Sequence, residues 1–402
     1  MWRRFGDVAF AVLVVVVVTF EAIPLAFLTW LLLGRLVGSA GGPPLVAVLL
    51  GALASAALAL VTITVYLLAY QHVSERRAAE RARRRREWVG RWLRVLYAFE
   101  PPPEAPLDRD AVDALLDVRD TLRGAEADRV TTLLANAGVV AVLERRARSG
   151  RTPSRLEALN ALARSRIAST MPTLLAAVGD PQRVVQVAAA RAAARTLATI
   201  DEPSAREEAA SDLIDVVARR NLPFGVQEEM LLLADDAAPS LVGALLGRED
   251  PPVSSLRAAL DAVARLQLLV FGEEVVRHLG HDDPEVRAAA LRAAARTGLL
   301  PPSAHAAVLA ALEDPVEFVR IHATAAARLL PRERALGELW ERLGDRSWWV
   351  RRQAAESLAA MGRAGLDQLG RAASAHPDRY ARDMAAQALR DRLVEVVEAV
   401  SG

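Results

Sequence analysis

With 402 residues, 50 basic and 49 acidic, the chain is too long for one ordinary hydrophobic core and is not polybasic overall, so two or more structural units are expected. Lysine is absent, and so is cysteine, which excludes disulfides, Cys-ligated zinc or iron–sulfur clusters and cysteine catalysis. Residues 1–100 contain 12 Arg and 6 acidic residues, so the rest of the chain is net acidic, which argues against a non-specific nucleic-acid binder.

Two long apolar segments open the chain. Residues 8–33 contain one charged residue, and as a helix they exceed the ~30 Å hydrocarbon core of a bilayer. Residues 45–70 form a second such segment after a turn-rich link. The pattern predicts a hairpin of two transmembrane helices over residues 1–70. Nine Arg follow the second segment, so both termini and the following domain are expected on the cytoplasmic side of the inner membrane.

Small and charged residues inside these segments are candidate contact sites. Gly51, Ser55 and Ala59 recur every four residues, which lets helix backbones approach closely. They fit either packing within the hairpin or a helix of a partner protein. Glu21 lies in the middle of the first segment, where a carboxylate is costly unless it is protonated or paired. Its expected contact is Ser55 or a partner membrane protein.

Residues 71–107 form an Arg-rich connector that ends in a Pro-rich linker. At 100° per residue, the apolar residues between Trp88 and Phe99 fall on one wide stripe, which is typical of an amphipathic helix. The stripe suits docking on the next domain or insertion among anionic lipid headgroups. The lipid-headgroup candidates are Arg83, Arg84, Arg85, Arg86, Trp88 and Trp92.

Residues 108–402 contain a repeat of about 30 residues. The segments "DPVEFVRIHATAAARLLP" and "DRSWWVRRQAAESLAAMG" share an acid, an aliphatic–Arg pair and an alanine-rich face. The aliphatic anchors are Val185, Val226, Leu256, Val286, Val319, Val350 and Ala381, at intervals of 41, 30, 30, 33, 31 and 31 residues. Such a period predicts about eight or nine stacked helical hairpins.

Polar residues accompany each anchor at fixed offsets. An acid before each helix can cap free N–H groups, and a neighbouring Pro suits the first turn. The residue after the anchor is usually Arg, and in a stack these side chains are expected to form a ladder with acids of the same or the neighbouring repeat. The predicted ladder comprises Arg257, Arg287, Arg320, Arg351 and Arg382 with Asp283, Asp314 and Asp345.

The pattern Asp-Pro-x-x-x-Val-Arg-x-x-Ala-x-x-Ala-Leu resembles HEAT repeats, in particular the short bacterial type of phycobilin-lyase-like proteins. The resemblance implies an all-α fold, an α-solenoid that follows the membrane hairpin, and a structural ladder. It also implies an interaction scaffold that is not an enzyme. Related membrane-anchored proteins accompany polysaccharide-synthesising glycosyltransferases, so an accessory role beside such an enzyme is one expectation.

No catalytic constellation stands out. None of the six His is followed by Glu, as the di-iron enzymes built on such repeats require, and His281-Asp282-Asp283 at a helix start is better explained as a cap than as a metal site. No metal, cofactor or nucleic acid is therefore expected. The alternative is an enzyme of the lyase-like type that binds a small molecule on the concave face.

Aromatic residues precede the anchor in three successive repeats. These are Phe318, Trp349 and Tyr380, and Trp348 widens the cluster. Equivalent positions of a solenoid stack in a row, so a column of aromatic rings is expected. It either fills gaps between repeats or forms a hot spot for a partner protein. The predicted function is a membrane-tethered scaffold that binds another protein.

Overall fold

The computed structural model describes residues 31, 35, 44–104 and 107–401, and every regular element among them is helical. In chain order the α-helices are α1 (Pro44–Leu96), α2 (Arg109–Thr121), α3 (Gly124–Asn136), α4 (Val139–Ser149), α5 (Thr152–Ser165), α6 (Met171–Val178), α7 (Arg183–Leu197), α8 (Pro203–Arg219), α9 (Phe224–Leu233), α10 (Ala238–Leu246), α11 (Val253–Leu266), α12 (Gly272–Arg277), α13 (Pro284–Thr297), α14 (His305–Ala311), α15 (Glu317–Ala326), α16 (Arg332–Leu343), α17 (Trp348–Ala360), α18 (Arg363–Ala375) and α19 (Arg379–Ser401). The chain divides into two compact units, one comprising residues 1–100 with 108–114 and the other residues 101–107 with 115–402.

The predicted transmembrane hairpin is corrected by the structure. Within the described ranges, no helix combines the length and the apolar character needed to cross a bilayer. The first predicted span, residues 8–33, lies outside the described residues apart from residue 31. The second, residues 45–70, is the first half of α1, which continues without a break through the Arg-rich segment. The hairpin in the fold class and the two-span inner-membrane localisation are therefore wrong.

The first unit has a small core where α1 ends and α2 begins. Trp92 is 2 % exposed, and its indole N–H donates to the carbonyl of Ala111 at 2.9 Å. Val95, Leu96 and Ala114 are buried beside it. Trp92, Val95 and Leu96 of the connector's apolar stripe are thus covered by protein, whereas Leu93 and Phe99 are 37 and 78 % exposed.

The second unit is a row of helices in which alternate members stack. α11 packs on α13, α13 on α15, α15 on α17 and α17 on α19. The intervening helices α14, α16 and α18 pack beside this row and complete the hairpins. The predicted all-α solenoid is confirmed.

Buried alanines explain why these helices approach closely. The alanines of α7 and α13 that face neighbouring helices are fully or almost fully buried. Six of the seven predicted anchors are also buried, but Val226 is half-buried, and Gln227 takes the inward position in α9. The Gln227 carboxamide accepts from the Ser255 hydroxyl of the next repeat at 2.7 Å. A neutral hydrogen bond therefore links these two repeats.

The helix caps follow two patterns. Asp283 caps α13 directly, because its carboxylate accepts from the N–H groups of Glu285 and Val286. Asp345 lies two residues further from its helix and accepts from the N–H of Ser347, whose hydroxyl then caps α17. Because Asp345 does not cap the helix itself, its carboxylate can also bind an arginine of the preceding repeat.

Candidate functional site

The four predicted aromatic residues lie at the first turns of successive stacked helices. Phe318 is in α15, Trp348 and Trp349 begin α17, and Tyr380 is the second residue of α19. Their exposed fractions are 36, 42, 58 and 64 %, respectively. Because the neighbouring anchors Val319, Val350 and Ala381 are fully buried, the residue before each anchor is turned towards the surface. The aromatics therefore do not serve as core residues.

Two arginines of α17 lie beside aromatic rings of this cluster. The rings of Trp348 and Trp349 meet edge to face at 4.7 Å. The Arg352 guanidinium lies 5.5 Å from the Trp348 ring, and that of Arg351 lies 5.4 Å from the Tyr380 ring. Among the described residues, no ring contact joins Phe318, Trp349 and Tyr380, so the predicted column of stacked rings does not form. A cation–π contact at an exposed site contributes about 0.5–1 kcal/mol.

A groove lies between α17 and α19 and is here named the aromatic groove. One part, of about 300 Å³, is lined by Trp348, Arg351, Tyr380, Asp383 and Arg390. The adjoining part, of about 420 Å³, is lined by Trp348, Arg352 and Met384 among others. The lining combines apolar and charged side chains in similar proportion, a mixture that can contact both kinds of group on a partner. Arg351 was predicted as a ladder residue, whereas the place of Arg352 and Arg390 in the groove was not anticipated from the sequence.

Two arginines of the predicted ladder contact an aspartate of the next repeat. Arg287 contacts Asp314 at 2.8 Å, and Arg320 contacts Asp345 at 3.0 Å with both side chains 5 % exposed. Arg155 and Asp180 form a similar pair further upstream. These pairs join each repeat to the next one, so they stabilise the stack.

The pKa of Asp345 reflects two opposing effects. Burial alone would raise it, but hydrogen bonds from Arg320 and from the Ser347 N–H hold the pKa below its usual range. Asp345 is therefore ionised at neutral pH and matches the Arg320 charge.

A second polar cluster lies on α11, α13 and α15. Arg292 approaches the buried Asp261 at 3.3 Å, and burial raises the pKa of that carboxyl group. Burial, with Arg292 next in importance, lowers the pKa of His322 to about 4. Arg257, Glu228 and Glu285 also act on the charge of Asp261. Glu285 pairs with Arg257 at 3.3 Å and Glu228 with Arg265 at 2.8 Å, so each acid of this cluster is matched by an arginine, which is typical of a structural network.

The remaining predicted residues are dispersed. Glu21 lies outside the described residues. Gly51, Ser55 and Ala59 lie in α1, and the structure does not describe their side chains. His281 accepts from the Asp283 N–H, so this part of the His-Asp-Asp segment acts in capping.

The Arg-rich end of α1 is engaged with protein groups. Arg83 pairs with Glu87 at 3.0 Å, and Arg84 pairs with Asp110 at 3.6 Å. Arg86 donates to the carbonyl of its own helix at residue 82. Trp88 stacks on the buried Trp92 at 5.9 Å. Of these contacts, only the Arg84–Asp110 pair leaves α1. Docking of the stripe on the next domain and its insertion among lipid headgroups both stay predictions.

Comparison with known proteins places HEAT repeats in the chain. The family described as HEAT repeats matches residues 306–390. No match was found among curated proteins. The crystal structure of Kap121p bound to Nup53p is similar over 72 % of this chain and 37 % of that chain, at 12 % identity and a TM-score of 0.46. The designed armadillo repeat protein YIII(Dq)4CqI is similar over 69 % and 98 %, respectively, at 17 % identity and a TM-score of 0.26. This chain therefore covers little more than a third of the Kap121p chain.

Proposed function

We propose that this HEAT-repeat chain is a non-catalytic scaffold that binds a partner protein through the aromatic groove. The observation that carries the proposal is the exposure of four large aromatic side chains at the starts of successive stacked helices. Trp348 and Tyr380 line the groove, and Trp349 contacts it through the Trp348 ring, at 4.7 Å. Exposed aromatic clusters are costly to solvate and are enriched at interface hot spots. The resemblance to repeat scaffolds supports the same conclusion, although fold alone does not determine function.

The aromatic groove is suited to a segment of a partner and not to a small substrate. Its two parts adjoin along Trp348 and Met384, which gives an elongated surface. Its lining includes Trp348, Tyr380, Met384 and several arginines, which are residue types enriched at protein interfaces. The polysaccharide-synthesising glycosyltransferase suggested by the family resemblance is one candidate partner for the capture experiment below.

Comparative affinity capture tests the proposal. Three baits are used in the native extract: the full chain, a Trp349→Ser/Tyr380→Ser variant and a Val270→Ser variant. Quantitative mass spectrometry measures the proteins that each bait recovers. Val270 is 74 % exposed and lies away from the groove in sequence, so it is a matched apolar control. One stoichiometric protein should be lost only with the double variant, because a hot-spot aromatic contributes about 2 kcal/mol or more.

Thermal unfolding completes the design. Because Trp349 and Tyr380 are more than half exposed, the double variant should unfold at nearly the wild-type temperature. A large fall in that temperature, or retention of every partner, would show that the aromatics serve the fold and would refute the proposal.

A further inference from the structure

The ladder arginines share one geometry, which makes an interruption in the ladder visible. Arg287, Arg320 and Arg351 each direct Nη1 towards the backbone carbonyl six residues earlier, at 2.8, 2.9 and 2.8 Å. The opposite edge of each guanidinium, Nε with Nη2, then faces the next repeat. In Arg320 this edge binds both oxygens of Asp345, at 3.0 and 3.1 Å. The bidentate arrangement is the strongest form of such a pair.

The acid is replaced by histidine in two repeats. Asp314 and Asp345 lie five residues before their anchors, and His281 and His376 occupy the same offset. Each imidazole performs the same local task, because its Nδ1 accepts the N–H two residues later, at 3.0 Å for His281 and 3.1 Å for His376. A neutral imidazole cannot pair with the arginine of the preceding repeat. The ladder is therefore interrupted opposite Arg257 and Arg351.

Both arginines opposite a histidine have a buried Nε without a hydrogen-bond partner among the described residues. Arg257 is compensated, since it reaches Glu285 at 3.3 Å and lies 4.2 Å from the Phe224 ring. Arg351 has no carboxylate within ion-pair distance in the part of the chain that the structure describes. Its Nη1 donates to the carbonyls of Asp345 and Arg346, and its guanidinium lies beside the Tyr380 ring. A buried donor without a partner costs free energy that a bound acceptor would recover.

The Arg351 interruption opens into the aromatic groove. Arg351 lines the part of about 300 Å³ together with Trp348, Tyr380 and Arg390. Asp383 also lines this part, but it is 3.8 Å from Arg379. Tyr380 is 64 % exposed, so its ring can turn aside without loss of core packing. His376 is 5 % exposed, and its ring lies 4.9 Å from Trp340, so it does not fill the groove.

We propose that the aromatic groove binds an Asp or Glu side chain of a partner protein segment, whose carboxylate takes the ladder position opposite Arg351. This inference rests on the proposed scaffold function and specifies the chemistry of the partner. An apolar residue next to the acid packs on Trp348 and Met384. The partner thereby supplies from outside the acid that Asp345 supplies to Arg320 within the chain.

A displayed library of random 12-residue peptides, selected against the full chain, tests the proposal. Selected peptides should share an acidic residue beside an aliphatic or aromatic one. In a fluorescence anisotropy titration, replacing that acid by its amide should weaken binding roughly 10- to 100-fold, as expected for a charge-assisted hydrogen bond. Arg351→Met should weaken binding to the same extent, and the two changes together should cost little more than either one.

Restoring the missing acid provides a second test. His376→Asp places a carboxylate opposite Arg351 from within the chain, so it should weaken binding of the selected peptide. His281→Asp makes the same change opposite Arg257, outside the groove, and should leave binding unchanged. Circular dichroism and thermal unfolding establish that each variant is folded. If His376→Asp does not fold, the peptide-side amide substitution still decides the question, because it leaves the protein untouched.

The outcomes separate this inference from the proposed function. If selected peptides depend on Trp349 and Tyr380 but contain no acid, or ignore Arg351→Met, the acid-binding inference is overturned while the scaffold function stands. If no peptide depends on the groove, both fail. Tighter Arg351-dependent binding of a phosphoserine peptide, or of phosphatidylserine vesicles, would identify a phosphate as the ligand and would also overturn the inference.

Discussion

The Arg320–Asp345 pair provides the sharpest test of how the repeats are held together. Asp345→Ala removes the carboxylate that binds two nitrogens of Arg320, and both side chains are only 5 % exposed. Removing one member of a buried pair leaves the other charge without compensation, which costs about 3–5 kcal/mol. The Ser347 N–H loses its acceptor as well. We therefore expect the free energy of unfolding to fall by about 4 kcal/mol.

Urea unfolding followed by circular dichroism measures this change, with Asp383→Ala as the control. The Arg379–Asp383 contact is 3.8 Å long, and its side chains are 82 and 68 % exposed, so its removal should cost less than about 0.5 kcal/mol. Repeat arrays can unfold in parts, so hydrogen exchange of α15 and α17 should show the loss of protection locally. If Asp345→Ala were as mild as the control, the ladder would not stabilise the stack.

A double variant separates charge from packing. Arg320→Met/Asp345→Leu removes both charges, and it should be less destabilising than Asp345→Ala because no unpaired charge remains. The pKa of Asp345 is held below that of an unfolded aspartate, so its contribution is complete above about pH 4 and is lost as pH falls through the folded pKa. The difference between wild type and Asp345→Ala should therefore shrink at acidic pH.

Three further predictions follow from individual contacts. The folded pKa of His322 is about 4, so stability should fall as pH decreases from about 6.5 to 4, and His322→Gln should reduce that slope in pH-dependent urea titrations. Gly365→Ala should destabilise the fold by several kcal/mol, because its Cβ would overlap the Leu358 carbonyl, whereas Gly370→Ala meets no atom and should be mild on thermal unfolding. Trp92→Phe should cost about 1–2 kcal/mol in chemical denaturation, since its buried hydrogen bond is lost.

The solenoid could be predicted because its signal is repeated. Anchors at intervals near 31 residues, followed by alanines at helical spacing, indicate the same supersecondary unit several times. An ambiguous repeat can therefore be assigned by comparison with the clearer ones. Val226 shows the limit of this approach. The insertion before it shifts the pattern, and the neighbouring Gln227 is the inward residue. Periodicity locates a hairpin but does not fix its register where a polar residue is buried.

The hairpin prediction failed for a different reason. It took two apolar runs in the sequence as membrane spans, whereas no helix in the described part of the chain is long and apolar enough to be one, and the second run is part of α1, which extends to Leu96. Local hydrophobicity carries no information about where a helix ends if no Pro or Gly interrupts it, and none does so after Tyr70 until Gly90. The burial of Trp92 depends on its partner across the Pro-rich linker, which the stripe alone could not identify.

The histidines in the ladder show why the candidate site could be predicted only in part from the sequence. The exposed aromatics are evident from their fixed offset, but the significance of His376 depends on two hydrogen bonds with different requirements. The N–H of Asp378 needs only a lone pair, which an imidazole supplies as well as a carboxylate does. Arg351 needs a negative charge, which the imidazole lacks. Histidine in place of the ladder aspartate thus preserves the local hydrogen bond and the fold, but it leaves Arg351 beside the groove without a carboxylate. Sequence spacing alone cannot distinguish the capping role of this position from its ion-pairing role.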